Sequence, residues 1–91
     1  MADMRAKMQV TGVKENFYQD KKTGEALSFR AVGKDGSYPS DGTSDDNTYA
    51  LWTPAGELSL TVNNPVLWGK FTVGQKFYID FNEVIPQAVV A

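Results

Sequence analysis

The 91 residues predict one small domain over 1–91, because a chain of this length can build only a single thin core. Cysteine and histidine are both absent, which excludes disulfides, thiolate nucleophiles and histidine-based acid–base or metal chemistry. The net charge of -2 argues against strong electrostatic binding to a nucleic acid. No apolar run reaches membrane-spanning length, so we expect a soluble protein without a membrane partner.

The first third of the chain predicts a β-hairpin. Apolar and polar residues alternate over 4–11, as in a strand with one buried face. Gly12 predicts a β-bulge, because the alternation resumes beyond it one place out of step. Polar residues ending in glycine predict a turn over 19–24, and a second strand follows to residue 32 with Leu27 and Phe29 directed inward.

The middle of the chain predicts a long loop followed by a second hairpin. Residues 33–47 are rich in Gly, Ser and Asp, and a loop of this length in a small domain is often functional. A β pattern resumes over 49–53, residues 54–56 form a Pro-Ala-Gly turn signal, and residues 57–62 alternate with their apolar side chains on one face. We therefore predict two antiparallel strands here.

A short helix and a last strand are predicted before the tail. Asn64 is suited to the N-cap and Pro65 to the first helical position, so we expect one or two turns that bring Leu67 or Trp68 against one end of the sheet. Residues 75–84 then alternate clearly enough to predict the final strand.

Five strands with no helical layer can bury their apolar face only if the sheet curls. We therefore predict an all-β fold, a small antiparallel barrel of five to six strands that resembles an OB fold, with one short helix before the last strand. A β-sandwich is the alternative. The tail over 85–91 is apolar and uncharged, and we expect it to add an edge strand or to dock on a second subunit.

Residues 53–81 also carry a family resemblance. They contain, in order, a Thr-Pro-x-Gly turn, a Leu-rich strand, an Asn-Pro element and the ending Gly-x-x-Phe-Tyr-Ile-Asp-Phe. With the Arg-Ala-Lys start at 5–7, this order resembles short all-β accessory proteins of tailed bacteriophages. The resemblance implies a viral origin, with the protein in the virion or in the cytoplasm of an infected bacterium. It implies no activity and no functional residue.

Protein binding is the leading functional hypothesis. Aromatic side chains and an apolar tail suit a protein interface, where Tyr and Trp are enriched. Such a module would be a virion accessory or decoration protein, or an inhibitor of a host factor, and its partner would be itself, the virion or a host protein. The candidate interface residues are Tyr38, Trp68, Ile85, Val89 and Val90.

Binding of single-stranded nucleic acid is the alternative hypothesis, because small barrels of the OB type hold such strands by aromatic stacking and a basic groove. One feature departs from that pattern: the OB helix normally lies between strands three and four, whereas the predicted helix lies between strands four and five. The candidate residues are Arg5, Lys7, Lys14, Tyr18, Arg30, Tyr49 and Trp52.

Metal binding and catalysis receive little support from the sequence. The oxygen ligands clustered at Asp41, Asp45, Asp46 and Asn47 do not follow the spacing of a calcium-binding loop, and a solvated acidic loop explains them better. The candidates for a catalytic pair of carboxylates are Glu57, Asp80 and Glu83, but their spacing does not force them together. We therefore predict no cofactor, no metal and no enzymatic activity.

Overall fold

A computed structural model describes residues 3–86, which form a four-stranded antiparallel sheet. The strands are β1 (Met4–Tyr18), β2 (Lys21–Ala31), β3 (Glu57–Val62) and β4 (Lys76–Phe81). Their order across the sheet is β3-β2-β1-β4, and all neighbours run antiparallel. The predicted all-β antiparallel fold is therefore confirmed at this level.

β1 is long because its two halves pair with different strands. Its first half pairs with β4, and from Met8 onward it pairs with β2. The pairing with β2 shifts between Val10 and Gly12, which confirms the predicted bulge. The extra residue keeps Val13 on the same face as Val10, opposite Leu27 and Phe29, so the strand stays paired with β2 beyond the bulge. Near its end Phe17 is 58% exposed.

The β1–β2 hairpin turns on two residues. Gln19 and Asp20 have φ angles of 49° and 65°. Two consecutive positive φ angles are typical of the type I′ turn, whose twist matches that of a two-residue hairpin. The turn predicted over 19–24 is therefore too long, since residues 21–24 already belong to β2. Lys21 and Thr23 are exposed at the hairpin tip, whereas Lys22 is half-buried and Gly24 is buried.

β3 has the bounds that its alternation predicts. Leu58 lies opposite Phe29 and Leu60 lies opposite Leu27, so the apolar side chains of both strands share one face. Leu27 and Phe29 are buried, which confirms their predicted inward direction.

The strand predicted over 49–53 is wrong. Residues 32–56 contain neither helix nor strand, so the loop is longer than predicted. Trp52 has a φ of 62°, outside the range of β-strands, and its N–H donates to the Gly42 carbonyl at 2.8 Å. The backbone hydrogen bonds of this segment are thus used within the loop and at the start of β1, where the Thr48 N–H donates to the Arg5 carbonyl.

One turn of 3-10 helix spans Pro65–Leu67, between β3 and β4. The Asn64 side chain accepts a hydrogen bond from the Val66 N–H at 3.3 Å, and Pro65 is the first helical residue. The predicted cap at Asn64 and Pro65 is present, but the element is a single 3-10 turn of three residues, and residues 3–86 contain no α-helix. Because the strand over 49–53 does not exist, however, the helix follows the third strand instead of the fourth.

β4 is shorter than the strand predicted over 75–84. Its six residues pair with the first half of β1. Just beyond it, the Glu83 N–H donates to the Asp3 carboxylate at 2.8 Å, so the backbone leaves the ladder. Phe77 and Ile79 pack against the core, as their alternation predicts.

The core lies on one face of the sheet, which we call the apolar face. The segment that leads to β4 crosses it and places the Phe71 ring 6.4 Å from Phe29 and 5.3 Å from Phe77 between ring centres. Tyr49 of the long loop packs there too. This cover is thin, because the molecule measures only 17 Å in its shortest dimension. The buried hydrophobic residues are Ala6, Met8, Val10, Leu27 and Phe29.

β3 and β4 form the two edges of the sheet, and neither pairs with a further strand within residues 3–86. The sheet is open, so the predicted barrel of five to six strands is not confirmed. The alternative sandwich would need a second sheet, which this part of the chain does not contain. In the tail predicted as a strand, residues 85 and 86 are not in a strand, and residues 87–91 lie outside the described residues.

Candidate functional site

The face opposite the core carries polar side chains, and we call it the polar face. At one end of it Arg5 donates to both carboxylate oxygens of Asp80, at 2.6 and 3.0 Å, and its guanidinium lies 4.5 Å from the centre of the Tyr78 ring. The hydrogen bonds from Arg5 lower the pKa of Asp80. The polar face comprises Arg5, Lys7, Gln9, Lys14, Ser28, Arg30, Glu57, Ser59, Thr61, Lys76, Tyr78 and Asp80.

Asp46 joins the long loop to the polar face. Its carboxylate accepts a hydrogen bond from the Tyr78 hydroxyl at 2.8 Å and lies 3.4 Å from the Lys7 ammonium. The bond from Tyr78 lowers the pKa of Asp46, with a further contribution from Lys7, and the same bond raises the pKa of Tyr78. Two basic residues of the polar face, Arg5 and Lys7, are thus paired with carboxylates.

The seven residues predicted to bind nucleic acid do not form one platform. Tyr18 lies at the exposed hairpin turn and Trp52 in the long loop, while Tyr49 packs on the opposite, apolar face. The buried Tyr49 hydroxyl has no hydrogen-bond partner among the described residues, and burial raises its pKa. The four that share the polar face are Arg5, Lys7, Lys14 and Arg30.

Asn47 attaches the long loop to the sheet, a role not predicted for it. Its side chain is 2% exposed; it donates to the Val32 carbonyl at 2.8 Å and accepts from the Lys7 N–H at 2.9 Å. An amide can donate and accept at once, so it satisfies backbone groups where β2 has ended. A single Asn at the end of a polar loop, before the apolar pattern resumes, is the only sequence signal for this anchor.

A buried carboxylate fixes the 3-10 helix to the hairpin. Glu25 is 3% exposed and accepts from the Lys22 ammonium at 2.8 Å and from the Gly69 N–H at 3.3 Å. The bond from Lys22 is the main cause of its lowered pKa. The sequence does carry a signal for this site: Glu25 occupies an inward position two residues before Leu27, and Lys22 precedes it by three.

Trp68 belongs to the same cluster, so most of its role is structural. Its indole N–H donates to the Val62 carbonyl at 2.8 Å, and the Lys22 ammonium lies 5.0 Å from its ring centre. Trp68 is half-buried. The structure therefore gives this predicted interface residue an internal function.

The long loop presents an aromatic pair. The Tyr38 and Trp52 rings lie 5.9 Å apart, and the Lys34 ammonium lies 5.8 Å from the Tyr38 ring centre. A Cβ on Gly42 would come within 2.6 Å of the Trp52 ring, and Gly42 itself has a φ of 76°. Glycine is therefore required at this position. Trp52 remains 51% exposed, so its ring can contact a partner.

More large apolar side chains are exposed than are buried among residues 3–86. Of the predicted interface residues, Ile85 is exposed and Tyr38 half-buried, whereas Val89 and Val90 lie outside the described residues. A contiguous patch of such residues would mark an interaction surface, whereas single exposed apolar residues are normal. The exposed residues are Phe17, Tyr18, Leu51, Trp52, Leu60, Val66, Leu67, Val73, Tyr78, Phe81, Val84 and Ile85.

The outer edge of β3 offers unpaired backbone groups. The Ala31 N–H donates to the Gly56 carbonyl at 2.9 Å, and bonded pairs alternate along an antiparallel ladder. Ser59 and Thr61 therefore direct their N–H and C=O groups away from β2. Residues 58–62 contain no charge and no proline, the features that usually protect an edge strand. This edge can accept another strand.

The weak cation candidates are not brought to one centre. Asp41 accepts hydrogen bonds from the Thr43 N–H and hydroxyl, which lower its pKa, and Asp46 and Asn47 bind groups of the sheet as described. Within the described part of the chain, no group of three or more acidic side chains is placed to hold a metal ion.

The three carboxylates considered for acid–base chemistry are also separated. Glu57 lies on β3 and Asp80 on β4, which are the opposite edges of the sheet. Glu83 lies beyond the end of β4. Across a four-stranded sheet the edge strands are about 14 Å apart, too far for two carboxylates to act on one bond.

Comparison of the chain with protein-family models, with curated proteins and with solved structures finds no match. The resemblance to phage accessory proteins therefore stays a prediction. Over residues 3–86, no helix has the length and apolar character needed to cross a bilayer.

Proposed function

We propose that this chain is a non-enzymatic binding module for a protein partner. The observation that carries the proposal is the position of Leu60, which is 50% exposed on the same face as the buried Leu27 and lies on the unpaired edge strand. A partner at this edge would cover the Leu60 side chain and would satisfy the outward backbone groups of Ser59 and Thr61.

Two effects favour such a partner. Covering the exposed half of a leucine contributes about 1 kcal/mol, and Val66 and Leu67 are exposed in the 3-10 helix that follows β3. A strand added to a sheet edge gains main-chain hydrogen bonds in addition, which is a common mode of peptide and protein recognition. The partner would therefore present an extended segment with apolar side chains.

The predicted setting of this module is a phage. A virion accessory or decoration protein, or an inhibitor of a host factor, would act in the virion or in the cytoplasm of an infected bacterium. The OB-like barrel belongs to the same proposal: a partner strand beside β3 and a strand from the tail over 85–91 beside β4 would cover both edges and extend the sheet toward closure.

Site-specific photo-cross-linking tests the proposal. A photoreactive residue in place of Leu60 should give one specific protein adduct in cells that naturally produce the protein. The same residue in place of Lys14, which lies on the polar face of the neighbouring hairpin, serves as the matched control and should not give that adduct. Absence of any protein adduct from position 60, at normal expression and folding, would refute the proposal.

Single-stranded nucleic acid is a second candidate, favoured by one observation. The helix follows the third strand of the sheet and precedes the fourth, so the departure from the OB pattern noted in the sequence does not apply. Arg30 and Lys14 are exposed on the polar face, with Trp52 as an aromatic surface in the loop. The pairing of Arg5 and Lys7 with carboxylates weakens this candidate.

A labelled oligonucleotide separates the two candidates. If nucleic acid is the partner, binding at low salt should fall steeply as salt is raised, and replacing Arg30 and Lys14 together by alanine should weaken it at all sequences. Replacement of Lys21, at the hairpin tip, is the control. We expect no salt-sensitive binding by the natural chain.

A further inference from the structure

We propose that the protein partner at the edge of β3 is a second copy of this chain. The two β3 strands would pair antiparallel across a two-fold axis at Leu60 and join two sheets into one of eight strands. This inference rests on the proposed function, because it names the partner of the same surface.

The sequence of β3 is self-complementary in one register. A two-fold axis at Leu60 places it opposite Leu60 of the second copy and places Leu58 opposite Val62 of that copy. Residues directly opposite each other in an antiparallel pair lie on the same face. This register therefore continues the apolar face of one sheet into the other, whereas a shift by one residue would set leucine beside the polar Ser59 or Thr61.

The backbone of the edge fits the same register. Ser59 and Thr61 direct their N–H and C=O groups outward, and in this register Ser59 of each copy lies opposite Thr61 of the other. Opposed outward residues form the hydrogen-bonded pairs of an antiparallel ladder, and the Leu60 pair between them is of the non-bonded, closely spaced type. The contact between the two Leu60 side chains therefore lies at the centre of the paired β3 strands, which we call the joint.

The charge of the strand is compatible with self-pairing. Glu57 is the only charged residue of β3. In the two-fold register the two Glu57 side chains lie at opposite ends of the joint, each opposite Asn63 of the other copy. Within its own sheet Glu57 already lies opposite Arg30. No like charges therefore lie directly opposite each other in this register.

The other edge is less suited to this role. β4 carries Lys76 and Asp80, and charged side chains are a common protection of edge strands. The side chains of Asp80 and Tyr78 are already bound by Arg5 and Asp46, so they are not free to contact a strand added at this edge. Its central apolar residue, Ile79, is already half-buried, whereas Leu60 is half exposed.

A single introduced cysteine tests the register. The natural chain contains no cysteine, so Leu60→Cys supplies the only thiol. Closely spaced antiparallel pairs have Cα atoms about 4.5 Å apart, within the range that disulfides span. Leu60→Cys should therefore form an interchain disulfide under mild oxidation. Leu58→Cys, on the same strand and face, is the control, because two copies of it would lie about 13 Å apart.

A proline variant tests the same joint independently of thiol chemistry. Thr61→Pro removes an outward N–H without removing a bond to β2, and proline is tolerated at such edge positions. The natural chain should sediment at twice its 10.0 kDa mass at high concentration. Thr61→Pro should weaken dimerisation roughly tenfold, because two interchain hydrogen bonds are lost. Thr61→Ser should leave dimerisation unchanged.

The outcomes separate this inference from the proposed function. Selective cross-linking of Leu60→Cys together with a weakened Thr61→Pro dimer supports the two-fold joint. Equal cross-linking of Leu60→Cys and Leu58→Cys, or a chain that stays monomeric at all concentrations, overturns it. If a monomeric chain still gives the protein adduct from position 60, only the self-pairing is wrong; if that adduct is also missing, both proposals fail.

Discussion

Replacing Asn47 by alanine should detach the long loop from the sheet. The substitution removes the donor to the Val32 carbonyl and the acceptor of the Lys7 N–H, which the side chain holds at 2.8 and 2.9 Å. A buried backbone group without a partner costs about 1–3 kcal/mol. Lys7 is only half-buried, so water can reach part of the site. We therefore expect a loss of about 2–4 kcal/mol in the free energy of unfolding.

Asn47→Asp separates the two hydrogen bonds. The carboxylate still accepts from the Lys7 N–H but sets a negative charge against the Val32 carbonyl, so the folded state favours a protonated carboxyl and raises its pKa above that of the unfolded chain. Stability that depends on the protonated form is present at low pH and is lost as the pH rises through the folded pKa. The free energy of unfolding of Asn47→Asp should therefore be low at neutral pH and should rise in mild acid.

Urea unfolding followed by tryptophan fluorescence measures both variants. The natural chain and Asn47→Ala are compared at neutral pH, and Asn47→Asp is followed from neutral to mildly acidic pH. A loss below about 0.5 kcal/mol for Asn47→Ala would match an ordinary surface substitution and would refute the anchoring role. So would an Asn47→Asp variant that is as stable as the natural chain at neutral pH.

Three further predictions concern the core, the loop and the buried carboxylate. Leu27→Ala should cost about 2–5 kcal/mol in urea unfolding, and Leu60→Ala clearly less in the monomer, because Leu27 is buried and Leu60 half exposed; equal losses would contradict the thin one-sided core. Gly42→Ala should destabilise the loop more than Gly36→Ala, since both have positive φ but only Gly42 faces a tryptophan ring, and its tryptophan fluorescence should shift. The lysine partner lowers the pKa of Glu25. The ionised Glu25 therefore contributes to the free energy of unfolding above the ordinary glutamate pKa of about 4.3, and this contribution is lost as the pH falls. Glu25→Gln should therefore remove part of the acid-side fall in melting temperature, and an unchanged pH profile would count against this site.

The elements that alternation and capping define were predictable from the sequence. β3, the bulge at Gly12 and the helix that begins at Pro65 follow from local patterns, because a buried face and a capped helix start each need particular residues at fixed spacing. The inward position of Glu25 was visible in the same alternation. Its partners were not, since the Gly69 N–H reaches it only through the fold.

The predictions that were wrong or incomplete concern segments in which tertiary contacts override the local conformational preference of the sequence. Residues 49–53 have a strand-like composition, yet Trp52 adopts a positive φ because Gly42 and Tyr38 surround its ring. Asn47 acts on groups of β1 and β2 that are distant in sequence, so no local pattern revealed it. Closure of the sheet depends on what meets the edges of β3 and β4, which alternation within a strand does not specify.

Amide hydrogen exchange at the edge of β3 tests the central claim most directly. The N–H groups of Ser59 and Thr61 point away from the sheet, as does that of Tyr78 on the opposite edge. If β3 is the interaction edge, Ser59 and Thr61 should gain protection as the protein concentration rises, while Tyr78 should exchange at a constant rate. Rapid exchange of Ser59 and Thr61 at every concentration, and in the presence of a cross-linked partner, would contradict the account.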